Sequence, residues 1–106
     1  MDILVETSFG VFEWDEDKCN ENFRKHKLDF LDAICVFQDE YAFVRHDQVH
    51  SILEDRFKIV GIIHGITVVA VFFTDRNNNI TRIISARRAT KNEVKEYDKA
   101  RTNWPH

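Results

Sequence analysis

Lys18, Asn22 and Lys25 recur at i, i+4 and i+7, with His26 beside them. On a helix this spacing brings two ammoniums and a carboxamide to one face, which suits a phosphate ligand; a solvated helix face has the same pattern. Arg82 and the Arg87-Arg88 pair offer guanidinium forks that can grip a phosphate and stabilise charge developing on it. Residues 82 and 87 fall on opposite faces of a strand, so they converge only if that strand ends near Ala86. The same arginines would also protect an exposed sheet edge. Glu54 precedes Arg56, with His50 just before them, and its carboxylate can take a proton or simply hold the arginine. His46 and His50 have the i, i+4 spacing of a metal pair, but they sit in strand and loop sequence without a cysteine or carboxylate at ligand spacing. Cys19 and Cys35 lie among apolar neighbours on helices and lack the surroundings of a nucleophile. The chain has no P-loop and no dinucleotide fingerprint.

Local patterns predict the elements that must position these groups. Val11 to Trp14 alternates as a short strand or extended lead-in. Asp15 is an N-cap, with Glu16 and Asp17 at the helix N-terminus, and that helix runs to about His26. Cys19 and Phe23 share its apolar face, opposite Lys18, Glu21, Asn22 and Lys25. Asp29 caps a second helix over 30–37, with Phe30, Ile34 and Phe37 buried. The period then changes to that of strands: 41–44, 56–63, 66–74 and 80–86, with polar turns between them. Thr90 and Glu93 form a capping box that opens a C-terminal helix, with Val94, Tyr97 and Ala100 inward. Two helices, three or four antiparallel strands and one helix make an α+β domain.

Composition bounds the rest. The 106 residues suffice for one domain, with 43% hydrophobic and 31% charged residues as in ordinary globular chains. Two cysteines and no signal-type N-terminus predict a reducing cytoplasm. The apolar stretch 59–73 falls short of the roughly 20 residues a spanning helix needs, so no membrane association is expected. The net charge of −3 is unevenly spread: −6 over 1–17, +3 over 18–27, −6 over 28–55, +2 over 56–79 and +4 over 80–106. A polyanion would therefore be met by local patches and not by the whole molecule.

Three runs together resemble the BrnT-type toxins. They are Phe12-Glu13-Trp14-Asp15 with Lys18, Asn22, Lys25-His26, Phe30, Asp32-Ala33 and Phe37; then His50-Ser51, Glu54, Arg56 and Gly61; and finally Arg82-Ile83-Ile84-Ser85-Ala86-Arg87-Arg88-Ala89 with Glu93 and Tyr97. The likeness covers Phe12 to Tyr97 in order and spacing. It implies one RelE-like toxin domain over 1–106 that cleaves RNA without metal or other cofactor. It also implies silencing by a ribbon-helix-helix antitoxin, through which alone the toxin meets operator DNA. On this resemblance Lys25, His26, Glu54, Arg87 and Arg88 are the catalytic candidates, and Lys18, Arg56 and Arg82 are RNA contacts. The alternative is a non-catalytic module of the same fold that only holds the antitoxin. The antitoxin is expected to lay an acidic segment over Lys25, Arg87 and Arg88, with Trp14 either its aromatic anchor or a core residue. Removal of Arg87, read as an exposed side chain, is expected to spare stability.

Overall fold

The first strand is built by alternation that its charges conceal. Ile3 and Val5 face inward between Asp2, Leu4 and Glu6, and they find partners only when Trp14 and Phe12 lie opposite them. The computed structural model, which describes residues 1–103, therefore opens on a hairpin of β1 (Asp2–Thr7) and β2 (Gly10–Asp15). Helix α1 (Glu16–His26) follows, then a single turn of helix, α2 (Phe30–Ala33), that tightens into a 3₁₀ turn over Ile34–Gln38. Strands β3 (Phe43–His46), β4 (Phe57–Ile63), β5 (Thr67–Arg76) and β6 (Ile80–Arg88) precede helix α3 (Lys91–Thr102). The sheet order is β1-β2-β6-β5-β4-β3, antiparallel throughout except for β2 and β6, which run parallel from Val11↔Ile80 to Glu13↔Arg82.

The class is α+β, but the RelE-like arrangement expected above needs correction. The sheet has six strands and is mixed, where three or four antiparallel strands were expected, and a hairpin precedes a single N-terminal helical region. The expected second helix fails after one turn because Ile34-Cys35-Val36-Phe37 is a β-branched and aromatic run with poor helix propensity. The parallel pairing of β2 with β6 joins segments far apart in sequence, which no local period announces.

The two sheet faces differ. One packs Phe12, Trp14, Ile59, Val71, Phe73 and Ile83 beneath α2 and the 3₁₀ turn, with Phe30, Ile34 and Val36 from above. Contact is so close at Gly61 that a Cβ there would lie 2.8 Å from Ala42 Cβ and 2.9 Å from Val36 Cγ2. The other face carries a smaller apolar cluster, Val60 and Ala70 under Tyr97 of α3, with partly buried Phe43, Ile62, Val68 and Phe72 among those packed against it. Tyr97 donates to Asp39 Oδ2 at 2.6 Å, and burial together with that carboxylate pushes its hydroxyl well above the ordinary range. Much of this second face is left to charged side chains. Trp14 is buried, edge-on to Phe30, and is a core residue with no surface to offer a partner.

Candidate functional site

Helix α1 starts and stops where its sequence dictates. The Lys18 N–H donates to Asp15 Oδ2 at 3.2 Å, and Lys27 ends the helix in the left-handed region, donating its N–H to Phe23 O. Asn22 fixes the helix against β6. Its Nδ2 donates to Ala86 O at 2.9 Å and Leu28 O at 3.0 Å, and the Ala86 N–H donates to Asn22 Oδ1 at 3.1 Å. Since β2 pairs with β6 only over its first residues, the carboxamide does for the open edge at Ala86 what a neighbouring strand would do. Asn22 is thus the buried residue of α1, whereas Phe23, expected on the apolar side, is half exposed. Lys18, Lys25 and His26 stay exposed and line a shallow cavity of about 280 Å³ with Glu21, Ile84 and Ser85. Lys25 Nζ lies 3.5 Å from Glu21 Oε1.

A second cluster forms where β6 meets α3. Arg87 closes its fork on Glu93, Nη1 to Oε1 at 2.7 Å and Nη2 to Oε2 at 3.1 Å, and Lys58 Nζ donates to Oε2 at 2.8 Å. Glu93 is also the acceptor of the capping box, taking the Thr90 N–H at 2.8 Å while its own N–H donates to Thr90 Oγ1 at 3.2 Å. Burial alone would raise its pKa, but the bonds from Arg87, Lys58 and the Thr90 N–H win and hold it at about 2, against an ordinary 4.5. The Arg87 guanidinium sits 5.3 Å from the centre of the Phe72 ring. Farther across the sheet, Arg45 lies 4.6 Å over Phe43 and donates to Glu96 Oε1 at 2.6 Å.

Strand register joins the two clusters. Arg45 pairs with Lys58, Lys58 with Phe72 and Phe72 with Ser85, so one row crosses β3, β4, β5 and β6. With strands about 4.8 Å apart, the row spans roughly 14 Å. Ser85 ends it in the cavity lined by Lys25 and His26, and Arg87 lies two residues farther along the same face of β6. A β-bulge leaves Ile84 without a partner between Phe72 and Phe73. The extra residue puts Arg82 and Arg87 on one face although β6 runs on to Arg88, so the condition that the strand end near Ala86 does not apply.

The other candidates stand apart. Glu54 lies before β4, with Oε2 3.4 Å from Arg76 Nη1 and Oε1 4.0 Å from Arg56 Nε. Arg82 donates to Asp2 at 3.1 Å and to Glu13 at 2.8 Å; the bond to Asp2 raises the Arg82 pKa and lowers that of Asp2, and Glu13 adds to the first effect. Arg88, opposite Val69, is exposed on the reverse face. His46 and His50 each hold a different carboxylate, Asp55 and Asp47, at 3.1 and 2.9 Å. Among the described residues no three potential metal ligands converge. Burial pushes the Cys19 thiol up. Sequence reasoning missed Arg45, Lys58 and Phe72, and it read Glu93 as a cap and as one of the BrnT-like residues without a place in the site. Lys58, the second residue of the otherwise apolar β4, was the available signal.

A family model described as "Ribonuclease toxin, BrnT, of type II toxin-antitoxin system" matches residues 14–93. The chain belongs to the BrnT family. The matched stretch holds both clusters and every candidate residue. A search of curated proteins finds no match. Among solved structures, the Brucella abortus ribonuclease toxin BrnT is similar, with 30% identity and a TM-score of 0.59 over 74% of this chain and 94% of that one. As a member of the BrnT family the chain is a ribonuclease toxin of a type II toxin–antitoxin system, which implies an RNA substrate and an antitoxin partner. No helix among the described residues is long and apolar enough to cross a membrane.

Proposed function

We propose that the chain is a metal-independent endoribonuclease that acts in the cytoplasm and binds RNA along the row from Arg45 to Ser85. The observation that carries this reading is the row itself: cations at Arg45, Lys58 and Arg87 flank the ring of Phe72, and the row opens into the cavity of Lys25 and His26. Alternating cations and an aromatic ring suit a single strand, whose phosphates are neutralised while a base stacks. A ribose 2′-OH attacks the adjacent phosphorus, and the bond to the 5′-oxygen breaks, leaving a 2′,3′-cyclic phosphate and a 5′-OH. Glu54 or Lys25 takes the proton from the 2′-OH, Lys25 only as its neutral amine, and Glu54 only if the RNA reaches the start of β4. His26 protonates the departing oxygen. Arg87, with Lys58 beside it, stabilises the phosphorane, where negative charge is greatest; Arg88, on the reverse face, is left out of that cluster. Lys18 and Arg56 extend the RNA contact; Arg82, already closed on two carboxylates, adds least. The antitoxin is of the ribbon-helix-helix type, and operator DNA is met only through it.

The deciding experiment incubates purified protein with end-labelled RNA, with and without EDTA, and identifies the product ends. Cleavage that survives chelation and leaves a cyclic phosphate is the expected result. Cleavage abolished by EDTA would overturn the metal-free chemistry. No cleavage at any protein concentration would favour a non-catalytic module that only holds the antitoxin.

A further inference from the structure

The segment between β3 and β4 places three aliphatic side chains in water within five residues. Val49, Ile52 and Leu53 are 77%, 86% and 97% exposed, more than isolated surface apolar residues require. The loop is not loosely tethered. The Asp47 N–H donates to Arg56 O at 2.7 Å, closing its base. Ser51 Oγ donates to Asp47 O at 2.5 Å and accepts the Arg56 N–H at 2.9 Å, and Thr74 Oγ1 reaches Asp55 O at 2.6 Å. These bonds fix the loop's backbone, and the aliphatic side chains are held outward. Its base also abuts the candidate site, because Val49 lines the same concavity as Arg45, Lys58 and Phe72.

We infer that this loop is the docking surface for the antitoxin of the pair, whose bound segment carries apolar residues onto Val49, Ile52 and Leu53 and acidic ones toward Arg45 and Lys58. RNA backbone offers no apolar surface that would bury three aliphatic side chains, whereas a protein segment does. The position favours the antitoxin over other proteins, since whatever covers the loop also closes the concavity over Lys58 and Phe72. The aliphatic contacts hold the segment, and its acidic residues compete with Glu96 for Arg45 and with Glu93 for Lys58. The inference rests on the reading of that face as the RNA surface, but antitoxin binding is measured independently of cleavage.

The test compares the full-length toxin with its Ile52→Ser/Leu53→Ser double variant, in which both changes fall on exposed side chains and leave folding intact. Affinity for the pair's own purified antitoxin is measured by titration, alongside RNA cleavage by free toxin and the toxin's mass in solution. Antitoxin affinity is expected to fall by about 30-fold or more, the scale of losing two anchors in an interface, while cleavage by free toxin stays within about twofold. Antitoxin affinity within about threefold of the parent would overturn the inference. With antitoxin binding kept, lost cleavage would reassign the loop to RNA, and loss of a toxin dimer would reassign it to a second copy; either overturns it. A parent that never cleaves RNA, paired with a variant that loses antitoxin, would leave the docking surface standing and remove the catalytic reading instead.

Discussion

Glu93 accepts from the Thr90 N–H, two Arg87 nitrogens and Lys58 Nζ at once, so a single carboxylate couples the start of α3 to the row of cations. Its folded pKa lies below the unfolded value, so its stabilisation is complete above pH 4.5 and is lost as pH falls toward 2. The group is nearly buried, and the shift corresponds to about 3 kcal/mol. Glu93→Gln retains a capping-box residue and removes the charge. Urea melts should show the variant about 3 kcal/mol weaker than the parent above pH 5, the gap closing toward pH 2. Kinetically, RNA affinity should hold or tighten, because a negative charge has left the face, while turnover at saturating RNA falls at least ~10-fold as Arg87 and Lys58 lose their fixed geometry. Parental turnover would show that Glu93 only caps the helix. Arg87→Ala should cost ~100-fold or more in cleavage. It should also lower stability by about 1–3 kcal/mol, because it strips partners from a buried carboxylate. The structure thus replaces the expectation that Arg87 is a freely exposed side chain; calorimetric melting of the variant checks it.

At the scale of elements, α1 is held to the sheet by Asn22 more than by apolar packing, since its Phe23 is half exposed. Asn22→Ala would leave Ala86 N–H, Ala86 O and Leu28 O short of partners in a buried place, a loss of about 2–4 kcal/mol. Asn22→Asp, able to accept from the Ala86 N–H but not to donate, should recover only part of it. Denaturant titration of the two variants measures both, and equal stability of all three proteins would show that α1 does not depend on this bond pair. Sequence spacing placed Asn22 with Lys18 and Lys25 because all three lie within one sector of the helix. It could not show that the sheet edge beneath Asn22 lacks a partner strand, which is what draws the carboxamide inward. The caps were legible for the opposite reason: Asp15, Asp29 and the Thr90/Glu93 box act on backbone groups two or three residues away.

For the whole molecule, a net charge of −3 gives RNA no long-range attraction, so binding rests on few local cations. If Arg45, Lys58, Arg87 and Lys25 neutralise about four phosphates of a single strand, log affinity should fall against log salt with a slope of about −3. Lys58→Ala should reduce that slope by about 0.7. Fluorescence anisotropy with a short single-stranded RNA across a salt series reads both, and a slope near zero would mean that the row does not meet the phosphates.

Much of what neighbours in sequence set was legible in the sequence alone: the strands at 56–63, 66–74 and 80–86, the helix after Thr90, the helix caps, and the ordered residues that resemble the BrnT toxins. The strand expected at 41–44, by contrast, lies at Phe43–His46. The hairpin strand β1, the shortness of α2 and the parallel contact of β2 with β6 depend on partners distant in the chain. So does the site. Residues 45, 58, 72 and 85 lie on four different strands, and only register lines them up. One bulged residue, Ile84, then decides that Arg82 and Arg87 share a face. A one-residue change of register reverses every side chain beyond it. The residue types that could meet RNA were therefore visible in the sequence, whereas which of them stand side by side was decided by tertiary pairing.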